Sequence, residues 1–380
     1  MKVQAGTQVP TKAETSAAMS TGTVWVGLDV GEERTSICVL DEAGEPLHES
    51  SCQTTAEDIE QSLSAYSLEQ IELVALEAGS VTHLVRKLRL RGYPVDIFEA
   101  RKASKFLAIR RSKTDASDAR GLADLARLGR STISRVHLAT VEFQQLRSEL
   151  MLRQQLIRVR VAIELGIRSR LRLYGRTVPL SRVRGAVRQS VDAETAALVE
   201  QEGIDLRSHL APLVNVSESL RDYVRDVDKE LEKRARDNPV CRLLMEIPGV
   251  GPLCALSFYA AIEDPDRFRR PRDVAAYLGL VPRRYQSGDL SFSMGITKTG
   301  NKLARKNLVT AAIVMRGLKT DCALRDWHMA LRERRGAGRA KVAVARKLAI
   351  LMLIMWRTGA HFEPYPGRGS AQGLSGCAIV

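Results

Sequence analysis

Apolar positions in the first third of the chain gather into short runs, and two of these runs close on an acid. Residues 24–30 are apolar except for Asp29 and are followed by Gly31, which predicts a buried strand whose end opens onto a site. A second run spans residues 35–40, a turn 41–45, and a third strand starts near Pro46. Three strands joined by short turns predict an antiparallel meander. After a helix over 55–66, the apolar run 71–77 again ends in an acid, Glu77. A helix over 81–91 and a strand over 94–98 continue the alternation, so this third reads as a mixed sheet with helices on its faces.

The spacing then changes to that of helices. From 141 to about 174 there is no proline, and Leu146, Leu150, Leu156, Val159, Ile163, Ile167 and Leu171 recur at helical intervals among arginines. Gly175 and Pro179 end this helix, and a less regular segment follows. A second amphipathic stretch covers 212–236, with Leu213, Leu220, Val224, Val227 and Leu231 inward. The pair predicts an antiparallel coiled coil, which suits a spacer or dimerisation arm as well as a nucleic-acid contact.

In the last third, an apolar helix, the turn Pro248-Gly249-Val250-Gly251-Pro252 and a second helix read as a helix-hairpin-helix. Gly249 and Gly251 would there let a phosphate reach backbone N–H groups. A helix over 268–280 leads to a polar loop over 283–289 that holds Arg283, Arg284 and Ser287. Lys298 precedes a basic helix with Lys302 and Arg305. A serine between arginines and a glycine, in a loop suited to phosphate, is a candidate nucleophile.

The stretch 112–120 carries a pair of acids. On a helix, Asp115 and Asp118 stand at i and i+3, about 5–6 Å apart between Cβ atoms. Like charges that close call for a cation or for water, and a divalent metal satisfies both. First-turn acids complementing the helix dipole are the alternative. Lys113 and Arg120 flank the pair, and Arg101, Lys102, Lys105, Arg110 and Arg111 precede it, a basic run suited to a phosphate backbone. The order of elements resembles the ribonuclease-H-like fold, in which acids on the first strand, the fourth strand and a later helix converge on metal. Here these are Asp29, Glu77, Asp115 and Asp118. Such a set suits two cations about 3.5–4 Å apart that clamp the oxygens of a phosphodiester.

Composition narrows the partners. Lys and Arg total 58 against 44 Asp and Glu, a formal charge of +14 in 380 residues with 5% aromatics. That surplus, mostly arginine, points to a polyanion such as nucleic acid. Cys38, Cys52, Cys241, Cys254, Cys322 and Cys377 show neither C-x-x-C spacing nor nearby histidine pairs, which argues against zinc and disulfides and for reduced thiols in the cytoplasm. Residues 1–23 are polar and lack a signal-peptide core, reading as a disordered tail. The apolar run 348–356 is too short to span a bilayer, which needs about 20 residues.

With these residues placed, the chain over 24–320 resembles the DEDD transposases of bacterial insertion sequences, the family of bridge-RNA-guided serine recombinases. Two blocks carry the likeness. One is the acidic tetrad with its Lys-Thr-Asp-x-x-Asp-Ala wording. The other runs from Ile247-Pro-Gly-Val-Gly-Pro through Ala276-Tyr-Leu-Gly-Leu-Val-Pro and Gln286-Ser-Gly to Gly295-Ile-Thr-Lys-Thr-Gly-Asn. The resemblance implies α/β plus α architecture: a tail over 1–23, a ribonuclease-H-like, Holliday-junction-resolvase-like catalytic domain over 24–135, a coiled-coil region over 136–238, a helical transposase domain over 239–358 and a tail over 359–380. It further implies Mg²⁺ on the tetrad, Ser287 as nucleophile with Ser291 and Ser293 close by, and DNA and a guide RNA as partners. The serine and the acids would meet across protomers of a homo-oligomer. Two rival readings stand beside it. One is a structure-specific nuclease using water on the same tetrad, and the other is a non-catalytic nucleic-acid-binding protein.

Overall fold

Strand β1 (Val24–Val30) sends alternate residues to opposite faces of a sheet, and everything in the first part of the fold is arranged around it. The computed structural model describes residues 22–108, 114–128, 135–179, 183, 185–287 and 290–366, without the side chains of 284–287 and 290–294. The predicted tail over 1–23 thus lies almost wholly outside the described residues, as do 367–380. The chain divides into two units, Met1–Leu138 and Ala139–Val380.

In the first unit β1, β2 (Arg34–Leu40) and β3 (Pro46–Gln53) pair antiparallel in succession, the expected meander. Helix α1 (Ala56–Ser62) starts at Thr55, whose hydroxyl oxygen accepts the Asp58 N–H at 3.0 Å. Strand β4 (Ile71–Glu77) pairs parallel with β1. After α2 (Thr82–Leu90), β5 (Val95–Phe98) pairs parallel with β4. The five-stranded sheet therefore runs β3-β2-β1-β4-β5. Its first face packs Val24, Val26, Leu28, Val74 and Leu76 against Ile59, Leu84, Val85 and Leu88 of α1 and α2. Helices α3 (Ala100–Leu107) and α4 (Asp115–Arg127) cover the other face, where Leu122, Leu125 and Ala126 meet Leu73, Ala75 and Phe98.

Gly27 lets α4 lie directly on β1. A methyl group added there would stand 2.0 Å from the Ala119 carbonyl oxygen and 2.3 Å from the Ala123 nitrogen, so strand and helix touch backbone to backbone. The far end of α4 is fixed as well. Arg127 lies over Gly44 in the β2–β3 turn and donates to the Glu42 carbonyl at 3.3 Å.

The second unit is mostly helical. Helices α5 (Val141–Arg172) and α7 (Arg207–Asp237) run antiparallel, as contacts at both ends show: Leu146 and Leu150 cluster with Leu231, and Ile167 and Leu171 with Leu210 and Val214. Between them Glu164, buried, accepts from Arg221 at 2.8 Å and from Ser217 at 3.0 Å. The inward positions differ from expectation at two points. Val159 faces out at 43% exposure, and the α7 seam takes Ser217 and Arg221 rather than an unbroken apolar stripe. The stretch expected to be irregular contains α6 (Ala186–Glu202), bounded by Gly185 at φ 74° and Gly203 at φ 69°. Its buried stripe is narrow, Val187, Val191, Thr195 and Leu198, which hid it among polar neighbours.

Helices α8 (Pro239–Leu244) and α9 (Pro252–Ile262) follow, then a short 3-10 turn over Pro265–Arg267 and α10 (Asp273–Tyr277). The helix expected over 268–280 is thus only five residues long, held between Pro271 and Gly279, which sits at φ 66°. The expected polar loop over 283–289 corresponds instead to a hairpin of β6 (Pro282–Ser287) and β7 (Leu290–Ile296), registered Tyr285↔Phe292 and Ser287↔Leu290. Leu290, Phe292, Met294 and Ile296 alternate with smaller residues at strand period, the overlooked signal. Helices α11 (Lys302–Gly317) and α12 (Ala323–Thr358) complete the unit, and α12 is interrupted at Gly336. The core joins α8, α9, α11 and the second half of α12 through Leu244, Phe258, Leu308, Leu348 and Met352. Residues 359–366 fold back onto it: Glu246 accepts the Phe362 N–H at 3.0 Å and pairs with His361 at 2.7 Å. Among the described residues no helix is long and apolar enough to cross a membrane.

A Gly27→Ala protein should lose more than about 2 kcal/mol of stability in the first unit, since neither backbone partner can move aside. Gly79→Ala, where an added methyl meets nothing within 4 Å, should not. Chemical denaturation followed by the fluorescence of Trp25, in a protein whose Trp327 and Trp356 are replaced by Phe, measures both. Equal midpoints for the two variants would contradict the backbone contact.

Candidate functional site

Strand alternation decides where the first two acids point. Trp25 and Gly27 of β1 face α4, so Asp29, two residues on, lies on the same face. Leu73 and Ala75 of β4 also face α4, which puts Glu77 there too. The register Leu28↔Leu76 sets Asp29 and Glu77 side by side at the C-terminal ends of neighbouring parallel strands.

Helix α4 brings the other two. Its C-terminal Arg127 sits at the β2–β3 turn, the end where β1 begins. Its N-terminus therefore lies where β1 ends, beside Asp29. Asp118 is one turn before Leu122 on the sheet-facing side, and Asp115 one turn before Ala119. The turn is shaped by Thr114, whose hydroxyl accepts the Ser117 N–H at 3.2 Å. Asp29, Glu77 and Asp118 are half-buried and Asp115 is exposed. Both acids of α4 stand in its first turn, so they also complement the helix dipole.

All four acids thus belong to one end of one sheet face. Their donors are carboxylate oxygens, the hard ligands a divalent cation prefers. The side chains themselves do not close around a point: among the described residues no group of three or more His, Cys, Asp or Glu stands as a metal-holding cluster. The donor chemistry and the placement of elements fit a cation, and the final approach of the side chains does not.

The predicted nucleic-acid contacts separate on inspection. Lys113 lies outside the described residues, and so do the side chains of Arg284 and Ser287. Arg283, Lys298 and Lys302 are exposed, and Arg120 is half-buried. Gly249 has φ 87°, and an added methyl would stand 2.6 Å from the Ala311 carbonyl oxygen, so its Cα packs against the backbone of α11. Gly251 has open space instead.

Arg305 is half-buried and bonded to backbone. Its Nη1 donates to the carbonyls of Leu278, at 2.9 Å, and Thr299, at 2.6 Å. It ties together two turns that already interlock. A methyl on Gly279 would stand 2.3 Å from the Thr299 carbonyl oxygen, and one on Gly300 1.9 Å from that of Tyr277. Thr297 donates to Val281 at 3.0 Å, closing the base of the β6–β7 hairpin that carries Ser287. Partial burial pushes the Arg305 guanidinium pKa down. Burial likewise pushes the Cys241 and Cys254 thiols up to about 12, which leaves them unreactive.

Sequence comparison adds an independent line. A family model for DEDD transposases of the IS110 type matches residues 26–175, and one described as transposase IS116/IS110/IS902 family matches residues 241–326. The transposase for insertion sequence element IS1111A of Coxiella burnetii is 31% identical over 351 residues, covering 90% of both chains. The transposase for insertion sequence element IS1328 of Yersinia enterocolitica is 26% identical over 298 residues, 77% of this chain and 85% of its own.

Replacing Arg305 by Ala should destabilise the second unit by about 1–3 kcal/mol, because two carbonyls lose a charged donor. It should leave the salt dependence of DNA binding unchanged. A stable variant with a shallower salt dependence would instead return Arg305 to the phosphate contacts.

Proposed function

The chain belongs to the IS116/IS110/IS902 family of insertion-sequence transposases, and from that membership we propose that it cleaves and rejoins DNA at the acid-bearing end of its first unit. One observation carries the reading: Asp29 and Glu77 end adjacent parallel strands on the face that α4 covers, and the first turn of α4 brings Asp115 and Asp118 to the same end. Acids on a first strand, its parallel neighbour and a helix across them are the arrangement expected of a ribonuclease-H-like site, and the sheet order supports it.

A divalent cation held among these carboxylates, Mg²⁺ in our reading, would supply Lewis-acid polarisation of the scissile phosphate. Asp29 and Glu77, fixed on strand ends, would hold that cation with Asp118 from α4, since bare carboxylates repel a phosphate. Lys113 and Arg120, on either side of the α4 acids, offset the charge of the approaching backbone.

Ser287 is the nucleophile in this reading. Its oxygen bonds to phosphorus as one strand P–O bond breaks, and a DNA hydroxyl later displaces the serine to join new ends. Support comes from the Gln286-Ser287-Gly288 motif and from the locked base of the hairpin. Target choice through a base-paired guide RNA, and assembly of the serine and the acids from different protomers, complete the proposal.

On a plasmid carrying the element ends, Asp29→Asn and Glu77→Gln should each lower strand cleavage on the order of a hundredfold or more, several kcal/mol of barrier, while DNA binding persists. Ser287→Ala should abolish the covalent protein–DNA product. Recombination surviving in Ser287→Ala would favour water as nucleophile. Undiminished cleavage in Asp29→Asn would leave the acids a structural role only.

A further inference from the structure

Arginine is committed unevenly in the second unit. On α5 and α7 it is largely spent on acids: Arg147 on Glu263, Arg153 on Asp228, Arg221 on Glu164 and Arg234 on Glu149. Between residues 330 and 347 of α12 the sequence holds seven Lys and Arg against the single Glu333. Arg332, Arg334, Arg335 and Arg339 are all exposed, and among the described residues no carboxylate pairs with them. Arg334 makes only a long bond, 3.4 Å, to the Ala330 carbonyl of its own helix.

The run is also bent at its centre. Gly336 has φ 80° and ψ 159°, a conformation essentially confined to glycine, and a methyl there would meet nothing within 4 Å. Glycine is required by the shape of the chain and not by crowding. The result is an exposed helical elbow with arginines on both arms.

We propose that the Gly336 elbow of α12 is an anchor for duplex DNA, with Arg332, Arg335 and Arg339 holding backbone phosphates away from the reacting groups. The inference rests on the reading that the protein acts on DNA. Unpaired guanidinium forks match phosphate oxygens in pairs, and a duplex offers a negative charge about every 1.7 Å along its axis. A protruding helical corner fits the B-form major groove, about 12 Å wide, and not the deep, narrow groove of A-form RNA.

The test is equilibrium binding of the full chain to duplex DNA by fluorescence anisotropy, in EDTA so that nothing is cut, across a range of salt. An Arg332→Ala/Arg335→Ala/Arg339→Ala protein is compared with Arg207→Ala/Arg225→Ala/Arg236→Ala. The control removes the same charge from exposed arginines paired with Asp205, Asp222 and Glu232. The slope of log K on log salt should become shallower by about 1 per elbow arginine and change little in the control. A triple lysine variant at the elbow should keep nearly the original slope, which separates lost contacts from lost folding. Equal changes in elbow and control variants would overturn the inference, as would a loss confined to duplex RNA. Original protein that binds no duplex DNA would overturn the functional reading beneath it.

Discussion

Backbone contact between β1 and α4 at Gly27 is the constraint on which the candidate site depends. With no side chain at that point, the helix settles against the strand, Ala119 and Ala123 fit beside Cys38 and Leu40, and Leu122 and Leu125 reach Leu73 and Ala75. The same docking sets the height of the first turn of α4 over the ends of β1 and β4. The elements that carry the acids need no attraction between the acids to share one end of the sheet. Their positions follow from strand alternation on one side and helical periodicity on the other, with the glycine fixing the distance between the two.

The second unit uses the same device around its hairpin. Gly279 and Gly300 each bring backbone against backbone, and Arg305 then ties both turns through their carbonyls. Side chains at either glycine would force the turns apart and free the hairpin base. Between α5 and α7 the restraint is electrostatic: Glu164 is buried, and from α7 Arg221 and Ser217 reach it in their present register, beside Arg160 of its own helix at 3.6 Å. A slip by one turn would take both hydrogen-bond donors of α7 away from a buried carboxylate, which is unfavourable.

Much of the first unit was legible because its signals are local. The apolar runs ending at Asp29 and Glu77 became β1 and β4 with the expected bounds, and the meander formed as its short turns required. Gly27 was overlooked although a glycine inside a buried strand marks close approach, and Ala119 and Ala123 at i and i+4 were its complement. In the second unit some of the departures share an origin. Polar residues such as the buried Arg221 and Ser217 and the half-buried Arg305 resemble surface residues in sequence, and only tertiary contacts reveal their partners. At Gly249 the sequence shows a turn glycine but not its close neighbour, the backbone of α11.

What the side chains have yet to do is gather around a cation, and this can be seen directly. Crystals of the full chain grown with Mn²⁺ and measured for anomalous scattering should show a peak about 2–2.5 Å from carboxylate oxygens of Asp29, Glu77 and at least one acid of α4. Binding at saturating Mn²⁺ with no peak at that sheet end, or with peaks only on acids elsewhere, would contradict a single site built from β1, β4 and α4.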